Sequence, residues 1–330
     1  MAARAESPMV ELSVVVPVYG CHGCLRQLHR RLVETLASVT DDYELVFVED
    51  CGSDGSWELL VELAAEDDRV KAYRLSRNFG QHAAITAGLS QSSGRWVVVM
   101  DCDLEDPPEE IPRLYAKAAE GFDIVFARRR RRRASWLRRT LSRLYFSMIN
   151  LLTGASLDGT YGSFSIISSK VVDAFLRFTE RDRHYLFVLH WLGFDRAAIE
   201  YEQSERVAGK SSYGVGALLR HALRGVFFQT TFLLRWVVYF GFALSALGLV
   251  AGAYFALAKV FGSGYPGWTS LFVVIVTIGG FIIVSTGVTG LYIGRVFEEV
   301  RQRPLFVISK AVGAGTEAVS EADVRMRSRL

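Results

Sequence analysis

The feature that most limits the fold of this chain is a long region without charged side chains near its carboxyl end. No charged residue occurs from Trp236 to Ala258, and after Lys259 none occurs until Arg295. Each stretch exceeds the roughly 20 apolar residues that a helix needs to cross a bilayer, and a Gly-rich turn at 262–267 separates the two. The sequence therefore predicts a hairpin of two transmembrane helices at 236–294. The alternative is a buried hairpin in a soluble core, although soluble helices rarely run this far without a charge.

Positive charges flank both outer ends of this region. Arginines precede the first stretch and follow the second, whereas Lys259 is the one charged residue between the stretches. Because basic flanks favour the cytoplasmic side, we expect both termini, and with them the first 235 residues, in the cytoplasm. This topology predicts a multi-pass protein of the cell (inner) membrane.

The composition leaves room for one sizeable α/β domain beside the hairpin. The chain has 330 residues, of which 50% are hydrophobic and 22% charged, and its formal net charge is +3. This composition disfavours a disordered chain, and the near-neutral charge disfavours a nucleic-acid partner. We expect a cytosolic domain at 1–213, an amphipathic juxtamembrane helix at 214–235, the hairpin at 236–294 and a cytosolic tail at 295–330.

Apolar and amphipathic segments alternate through the first 130 residues. The apolar runs resemble buried strands, and leucines recur at helical spacing between them. This alternation predicts a βαβ series and a mostly parallel sheet with helices on both faces. Ligands of such sheets bind beyond the carboxyl ends of the strands. The expected strands lie at 12–16, 43–48, 70–75, 96–100 and 123–127.

Acidic residues follow two of these strands. Glu49 and Asp50 follow the second strand, and Asp101, Asp103 and Glu105 follow the fourth. Carboxylates that alternate along an extended segment lie on one side and repel each other, so we expect a hard cation there, Mg²⁺ or Mn²⁺. A solvated acidic turn is the alternative. No P-loop and no dinucleotide-binding glycine pattern is present, so neither of these nucleotide sites is predicted.

Cysteine spacing gives a weaker signal. Cys21 and Cys24 form a C-x-x-C pair, which is compatible with zinc or redox chemistry. A zinc site needs a second pair at matching spacing, whereas Cys51 and Cys102 stand alone. We therefore expect reduced thiols.

A basic block follows the fifth strand. Six consecutive arginines occupy 128–133, and further arginines follow at 138, 139 and 143. An anionic ligand is expected nearby, although a solvated or lipid-headgroup-binding patch is the simpler interpretation for 129–133. Apolar faces at 136–149 and 218–228 predict amphipathic helices in the membrane interface, and the first belongs to a basic interfacial segment at 128–153.

Six segments of the chain, in this order, resemble membrane-bound family 2 glycosyltransferases of the polyprenyl-phosphate type, such as dolichol-phosphate mannose synthases and bactoprenol glucosyltransferases. The resemblance implies a GT-A fold, which is a Rossmann-like α/β domain with a mostly parallel sheet. It also implies an Asp-x-Asp metal site and a nucleotide-sugar donor. The segments are VVVPVY (14–19), EDCGSDGS (49–56), RNFGQ (77–81), DCDLEDPPE (101–109), RVAGKSSY (206–213) and GRVFEEV (294–300).

The resemblance assigns roles to individual residues. Asp101 and Asp103 would hold the metal, and Glu105, which replaces a glutamine common in relatives, would add a further negative charge. Donor-binding roles fall on Pro17, Tyr19, Glu49, Asp50, Asp101, Arg206 and Lys210, with Glu49 included because it caps no obvious helix. The catalytic set adds to Asp101 and Asp103 the acceptor-phosphate contacts Arg128, Arg138 and Ser142.

The expected reaction is inverting transfer of a sugar to a polyprenyl (undecaprenyl or dolichyl) phosphate. The acceptor phosphate has a second pKa near 6, so it is largely anionic at neutral pH and needs no protein base. UDP-glucose is the expected donor and GDP-mannose the alternative. A processive polysaccharide synthase is disfavoured by the small number of spans, and a non-catalytic scaffold by the intact acidic residues. Glycine pairs in the hairpin are also compatible with a homo-oligomer.

Overall fold

A computed structural model of the chain describes residues 10–130, 161–178, 180, 183–203, 268–301 and 303–313, with isolated positions between 237 and 261. The chain divides into two compact units. The first comprises Met1–Ser147, Ala155–Ser212 and Arg303–Leu330, and the second comprises Met148–Gly154 and Tyr213–Gln302.

The first unit is built on a single sheet. Within the described residues this sheet has eight strands in the order β7-β5-β6-β4-β1-β2-β3-β8. Only β6 and β8 run antiparallel to their neighbours, so the predicted mostly parallel sheet is confirmed. The strands are β1 Leu12–Val18, β2 Tyr43–Glu49, β3 Val70–Leu75, β4 Trp96–Val99, β5 Ile124–Arg129, β6 Tyr161–Ser168, β7 Arg196–Tyr201 and β8 Ile308–Val312.

Helices cover both faces of the sheet, so the central strands are buried on both sides. On one face, Val14 and Val16 of β1 share a core cluster with leucines of α1, α2 and α4. On the other face, Val15 packs in a second cluster with residues of α3, α5 and α6. The helices of this unit are α1 His22–Leu36, α2 Ser56–Glu66, α3 Gln81–Gln91, α4 Ile111–Ala119, which follows a 3₁₀ turn at Pro108–Glu110, α5 Ser169–Leu176 and α6 Tyr185–Trp191.

The eighth strand comes from the carboxyl-terminal tail. β8 pairs antiparallel with β3, and the Ser76 amide donates to the carbonyl of Val307 at 2.8 Å. Phe306 and Ile308 pack against the second core cluster. The sequence predicted a cytosolic tail at 295–330 but not this strand. β8 covers what would otherwise be an open sheet edge beside β3.

The second unit contains one long described helix, α7, at Trp268–Val300. Large apolar side chains are exposed along it, among them Leu271, Ile283 and Val300. Within the part of the chain that the structure describes, no helix combines the length and apolar character needed to span a bilayer. The juxtamembrane segment 214–235 and much of the first expected span lie outside the described residues, so the hairpin remains a prediction.

Candidate active site

The loops at the carboxyl ends of β2 and β4 contain backbone conformations that are unusual for residues with side chains. Cys51, after β2, has a φ of 53°, and Leu104, after β4, has a φ of 62°. Non-glycine residues with positive φ persist where the surrounding structure holds them, and they are concentrated at functional sites. Both loops lie at the sheet edge where the sequence predicted the site.

Asp101 is held from two directions. Its Oδ1 accepts a hydrogen bond from Gln81 Nε2 at 2.7 Å and another from Ser163 Oγ at 2.7 Å. Gln81 begins α3 and Ser163 lies near the start of β6, so three segments meet at this carboxylate. Burial, together with the negative charges of Asp106 and Asp103, raises the pKa of Asp101 to about 6. The site therefore concentrates negative charge that a bound cation would offset.

The two other predicted metal ligands have contacts within the chain. Asp103 Oδ1 accepts a hydrogen bond from the Glu105 amide at 3.2 Å. The Glu105 carboxylate accepts a hydrogen bond from the side-chain amide of Gln203. Among the described residues, no group of three or more His, Cys, Asp or Glu side chains is arranged to hold a metal ion. The expected trio therefore does not form a ready-made cage, and Asp101 and Asp103 are left as a pair of hard oxygen donors.

A buried network that sequence reasoning missed lies next to this pair. Asp106 has no exposed surface, and it contacts Arg129 at the end of β5 and Tyr201 at the end of β7. The sequence placed Arg129 in a solvated or lipid-binding patch, and this expectation fails because its guanidinium points into the protein. The available signal was the two-residue period of β5, which puts Arg129 on the opposite face from Arg128 and Arg130.

The predicted donor residues divide into exposed and buried groups. Tyr19 is 61% exposed and lies beside Gly52, whereas Pro17 is buried within β1. Glu49 is buried, and its carboxylate pairs with Arg74 Nε at 3.0 Å. Burial raises the pKa of Glu49, although the Gly52 amide and Arg74 oppose this rise. Of the three described residues Pro17, Tyr19 and Glu49, only Tyr19 has a side chain open to a ligand.

The Asp50 carboxylate also makes its contacts within the chain. It is 3% exposed, and its two oxygens accept hydrogen bonds from the backbone amides of Phe79 and Gly80. Burial raises the pKa of Asp50, and these two bonds oppose the rise. Asp50 thus fastens the loop after β3 to the end of β2.

The predicted acceptor contacts are only partly described. The Arg128 guanidinium lies 5.8 Å from the centre of the Tyr161 ring and 4.0 Å from Glu200, with 40% of its side chain exposed. It is therefore accessible at the end of β5. Arg138, Ser142, Arg206 and Lys210 lie outside the described residues.

The cysteines are free and largely buried. Cys21, Cys24 and Cys102 belong to one core cluster. A hydrogen bond with Cys102, together with burial, raises the pKa of the Cys21 thiol. Buried neutral thiols are poor nucleophiles and poor metal ligands, so the expectation of reduced thiols fits these positions.

The chain is similar in sequence to known glycosyltransferases. Residues 13–176 match the family model described as Glycosyl transferase family 2. The chain is 37% identical over 308 residues to the undecaprenyl-phosphate 4-deoxy-4-formamido-L-arabinose transferase of Proteus mirabilis, covering 92% of this chain and 94% of that protein. It is 33% identical over 306 residues to an uncharacterized glycosyltransferase of Synechocystis, covering 92% of this chain and 96% of that one.

Solved structures show a more distant similarity. Glucosyl-3-phosphoglycerate synthase from Mycobacterium tuberculosis, in complex with Mn²⁺, UDP and phosphoglyceric acid, superimposes with a TM-score of 0.45 at 17% identity. That match covers 66% of this chain and 78% of the synthase. Since sequence relatives align over nearly their whole length, the expected family and its GT-A-like α/β fold are confirmed. This chain belongs to glycosyltransferase family 2 and is a glycosyltransferase.

Proposed function

We propose that the protein transfers a sugar, with inversion, from a nucleotide-sugar donor to a polyprenyl phosphate at the cytosolic membrane face. The observation that supports this most directly is the Asp101 carboxylate, which is held by Gln81 and Ser163. It lies at the carboxyl ends of the strands, where parallel sheets bind their ligands. A relative at 37% identity is named for transfer of an arabinose derivative to undecaprenyl phosphate.

The residues present fit a hard divalent cation. Asp101 and Asp103 supply oxygen donors, and the raised pKa of Asp101 reflects like charge that a cation would offset. We propose that these two carboxylates hold Mg²⁺ or Mn²⁺, with substrate phosphates completing the shell. When bound, the metal would stabilise negative charge on the departing nucleoside diphosphate. Glu105 accepts a hydrogen bond from Gln203, and we propose that its carboxylate adds a further negative charge beside the metal.

The chain's own cations would orient the acceptor. Because a polyprenyl monophosphate is already largely anionic at neutral pH, the protein needs to position its oxygen rather than to deprotonate it. Arg128 is the described candidate for this contact, and we propose Arg138 and Ser142 as its partners on the segment that follows. Arg206 and Lys210 would contact the donor diphosphate.

The donor pocket is proposed to lie between the loops after β1, β2 and β3. The exposed Tyr19 ring offers a surface for the base, and Asp50 would shape the pocket indirectly by holding Phe79 and Gly80 in place. UDP-glucose is the proposed donor, with GDP-mannose as the second candidate.

We further propose that residues 236–294 anchor the protein in the inner membrane, with residues 1–213 and 295–330 in the cytoplasm. The support is the absence of charge from this region, apart from Lys259, and the exposed apolar side chains of α7. An acceptor with a lipid tail stays in the bilayer, so an anchor would keep the enzyme beside its substrate.

The test uses the purified full chain in detergent or nanodiscs with Mn²⁺, undecaprenyl phosphate, and labelled UDP-glucose or GDP-mannose. We expect label in the lipid phase with one donor, and loss of transfer in Asp103→Ala. Asp68→Ala is the matched control, since Asp68 is exposed and lies just before β3, at the amino ends of the parallel strands. If no nucleotide sugar labels the lipid, or if Asp103→Ala transfers like the wild type, the proposal is wrong.

A further inference from the structure

Strand alternation divides the arginine block into two faces. β5 and β7 run parallel, with Arg128 opposite Glu200 and Arg129 opposite Tyr201. Arg128 and Arg130 lie near the carboxylates of Glu200 and Glu202, at 4.0 and 3.4 Å. Arg129, on the other face, has a half-buried side chain. Its surroundings therefore differ from those of its neighbours in sequence.

Arg129 is part of a closed set of contacts with Asp106 and Tyr201. Its Nη2 lies 3.3 Å from Asp106 Oδ1, and its Nε donates to Tyr201 Oη at 3.1 Å. The Tyr201 hydroxyl donates to the same Asp106 oxygen. Within the described residues, Asp106 Oδ2 is buried without a hydrogen-bond partner. A buried carboxylate with one unsatisfied oxygen depends strongly on its neighbouring cation.

The same guanidinium also lies against the strand that orients Asp101. A Cβ atom added to Gly162 would come within 3.0 Å of Arg129 Nη2 and 3.3 Å of its Nε. The absence of a side chain at Gly162 thus lets the guanidinium pack beneath the start of β6. The next residue, Ser163, donates the hydrogen bond to Asp101. Arg129 therefore contacts two of the segments that set the position of Asp101, namely the loop that ends at Asp106 and the start of β6.

Electrostatic interactions also link Arg129 to Asp101. Burial, Asp106 and Asp103 raise the pKa of Asp101, and among the described residues Arg129 opposes the rise in the pKa of both Asp101 and Asp106. Without Arg129, its charge would no longer offset the repulsion among these three carboxylates before a metal binds.

We propose that Arg129, acting through Asp106 and Tyr201, is a positioning residue for the Asp101 and Asp103 pair rather than a contact for the acceptor phosphate or lipid. This inference rests on the proposed metal-dependent transfer. It separates the role of Arg129 from that of Arg128, which is the described candidate for the acceptor contact.

The test is calorimetric titration of the full chain with UDP, and with GDP, in the presence and absence of Mn²⁺. In Arg129→Gln we expect the Mn²⁺-dependent part of nucleotide affinity to fall about tenfold or more, as is typical when a partner of metal ligands is lost. Arg129→Lys keeps the charge but not both contacts, so it should recover part of this affinity. Transfer assays should show a lower kcat with an unchanged KM for undecaprenyl phosphate.

Lys71→Gln is the matched control. Lys71 is also a half-buried cation on a buried carboxylate, with Nζ 2.6 Å from Glu44, but this pair lies at the amino ends of β2 and β3. The Lys71→Gln variant should have a lower melting temperature and unchanged Mn²⁺-dependent nucleotide binding. If Arg129→Gln does not fold, Tyr201→Phe removes one donor to Asp106 and should give a smaller loss of the same kind.

Three results would overturn the inference or its basis. Wild-type Mn²⁺-dependent affinity in both Arg129→Gln and Tyr201→Phe would show that the network does not position the pair. A raised KM for undecaprenyl phosphate with unchanged nucleotide binding would show that Arg129 contacts the acceptor. If the wild type binds neither nucleotide more tightly with Mn²⁺, the proposed metal function itself fails.

Discussion

The carboxylate of Asp50 accepts a hydrogen bond from the backbone amide of Gly80 at 2.8 Å, and its other oxygen accepts one from Phe79 at 2.7 Å. This side chain therefore joins the end of β2 to the loop between β3 and α3. The family resemblance implies a contact between Asp50 and the donor nucleotide. The geometry favours a role in shaping the loop beside that nucleotide.

Asp50→Ala separates these two roles. It leaves two amides without their acceptor, and each unsatisfied buried donor costs about 1–3 kcal/mol. We expect a clear fall in the free energy of unfolding, measured by urea titration, and a smaller fall for Asp50→Asn, which keeps one acceptor oxygen. Wild-type stability combined with lost nucleotide binding would instead favour a direct contact with the donor.

Gln81 and Ser163 both donate to Asp101 Oδ1, so their removal should act on transfer rather than on folding. Loss of one hydrogen bond to a charged group corresponds to about a tenfold fall in kcat/KM. We expect Gln81→Ala and Ser163→Ala to show falls of this size. The double variant should deviate from additivity, because both bonds act on one carboxylate. Strict additivity would indicate that the two side chains act separately.

Arg128→Ala tests the acceptor contact. Because the Arg128 guanidinium is accessible at the end of β5, we expect a higher KM for undecaprenyl phosphate and unchanged affinity for UDP or GDP. The matched control is Arg113→Ala, an exposed arginine paired with Glu110 on the neighbouring α4 segment. Equal losses in acceptor and nucleotide binding would contradict the assigned role.

The lowered pKa of Asp67 predicts how the free energy of unfolding depends on pH. Burial alone would raise its pKa, but hydrogen bonds from Arg69 and His29 lower the pKa of Asp67 from 3.8 to about 2. The folded pKa lies below the unfolded one, so the ionised carboxylate stabilises the fold above about pH 4 and loses this effect as the pH falls toward 2. Asp67→Asn should cost about 2 kcal/mol at pH 7.

The measurement is the free energy of unfolding of the wild type and Asp67→Asn at pH 7 and pH 3. The difference between the two proteins should shrink at the lower pH. A difference that stays constant between the two pH values would mean that Asp67 contributes through packing and neutral hydrogen bonds alone.

Two glycines in helices should respond in opposite directions to the same substitution. A Cβ at Gly88 of α3 would overlap Val15 Cγ1 of β1, so Gly88→Ala should destabilise the fold by about 1–3 kcal/mol. Gly23 of α1 has nothing within 4 Å of its would-be Cβ. Gly23→Ala should therefore stabilise the helix by about 0.5–1 kcal/mol. Thermal unfolding of both variants checks the pair, and a stable Gly88→Ala would contradict the close packing of α3 on β1.

Local pattern was sufficient for the parallel sheet and for the edge where the acidic residues gather. Val14, Val15 and Val16 form a continuous apolar run, and such a run is typical of a strand that is covered on both faces. Asp101 and Asp103 follow a strand of the same kind, so their place beyond its carboxyl end follows from chain direction alone. These features depend on neighbours in sequence, which the printed residues already show.

Partners that are distant in sequence required the tertiary structure. Nothing in the tail around Ile308 indicates that it pairs with β3, because edge pairing depends on which strand remains open after the rest of the sheet has formed. In the same way, the strand period of β5 separates the arginine block into two faces, but it does not show which face is covered or by which residues. The direction of Arg129 was decided by the strand period of β5 together with Tyr201 on β7 and Asp106 beyond β4, three segments that only folding brings into contact.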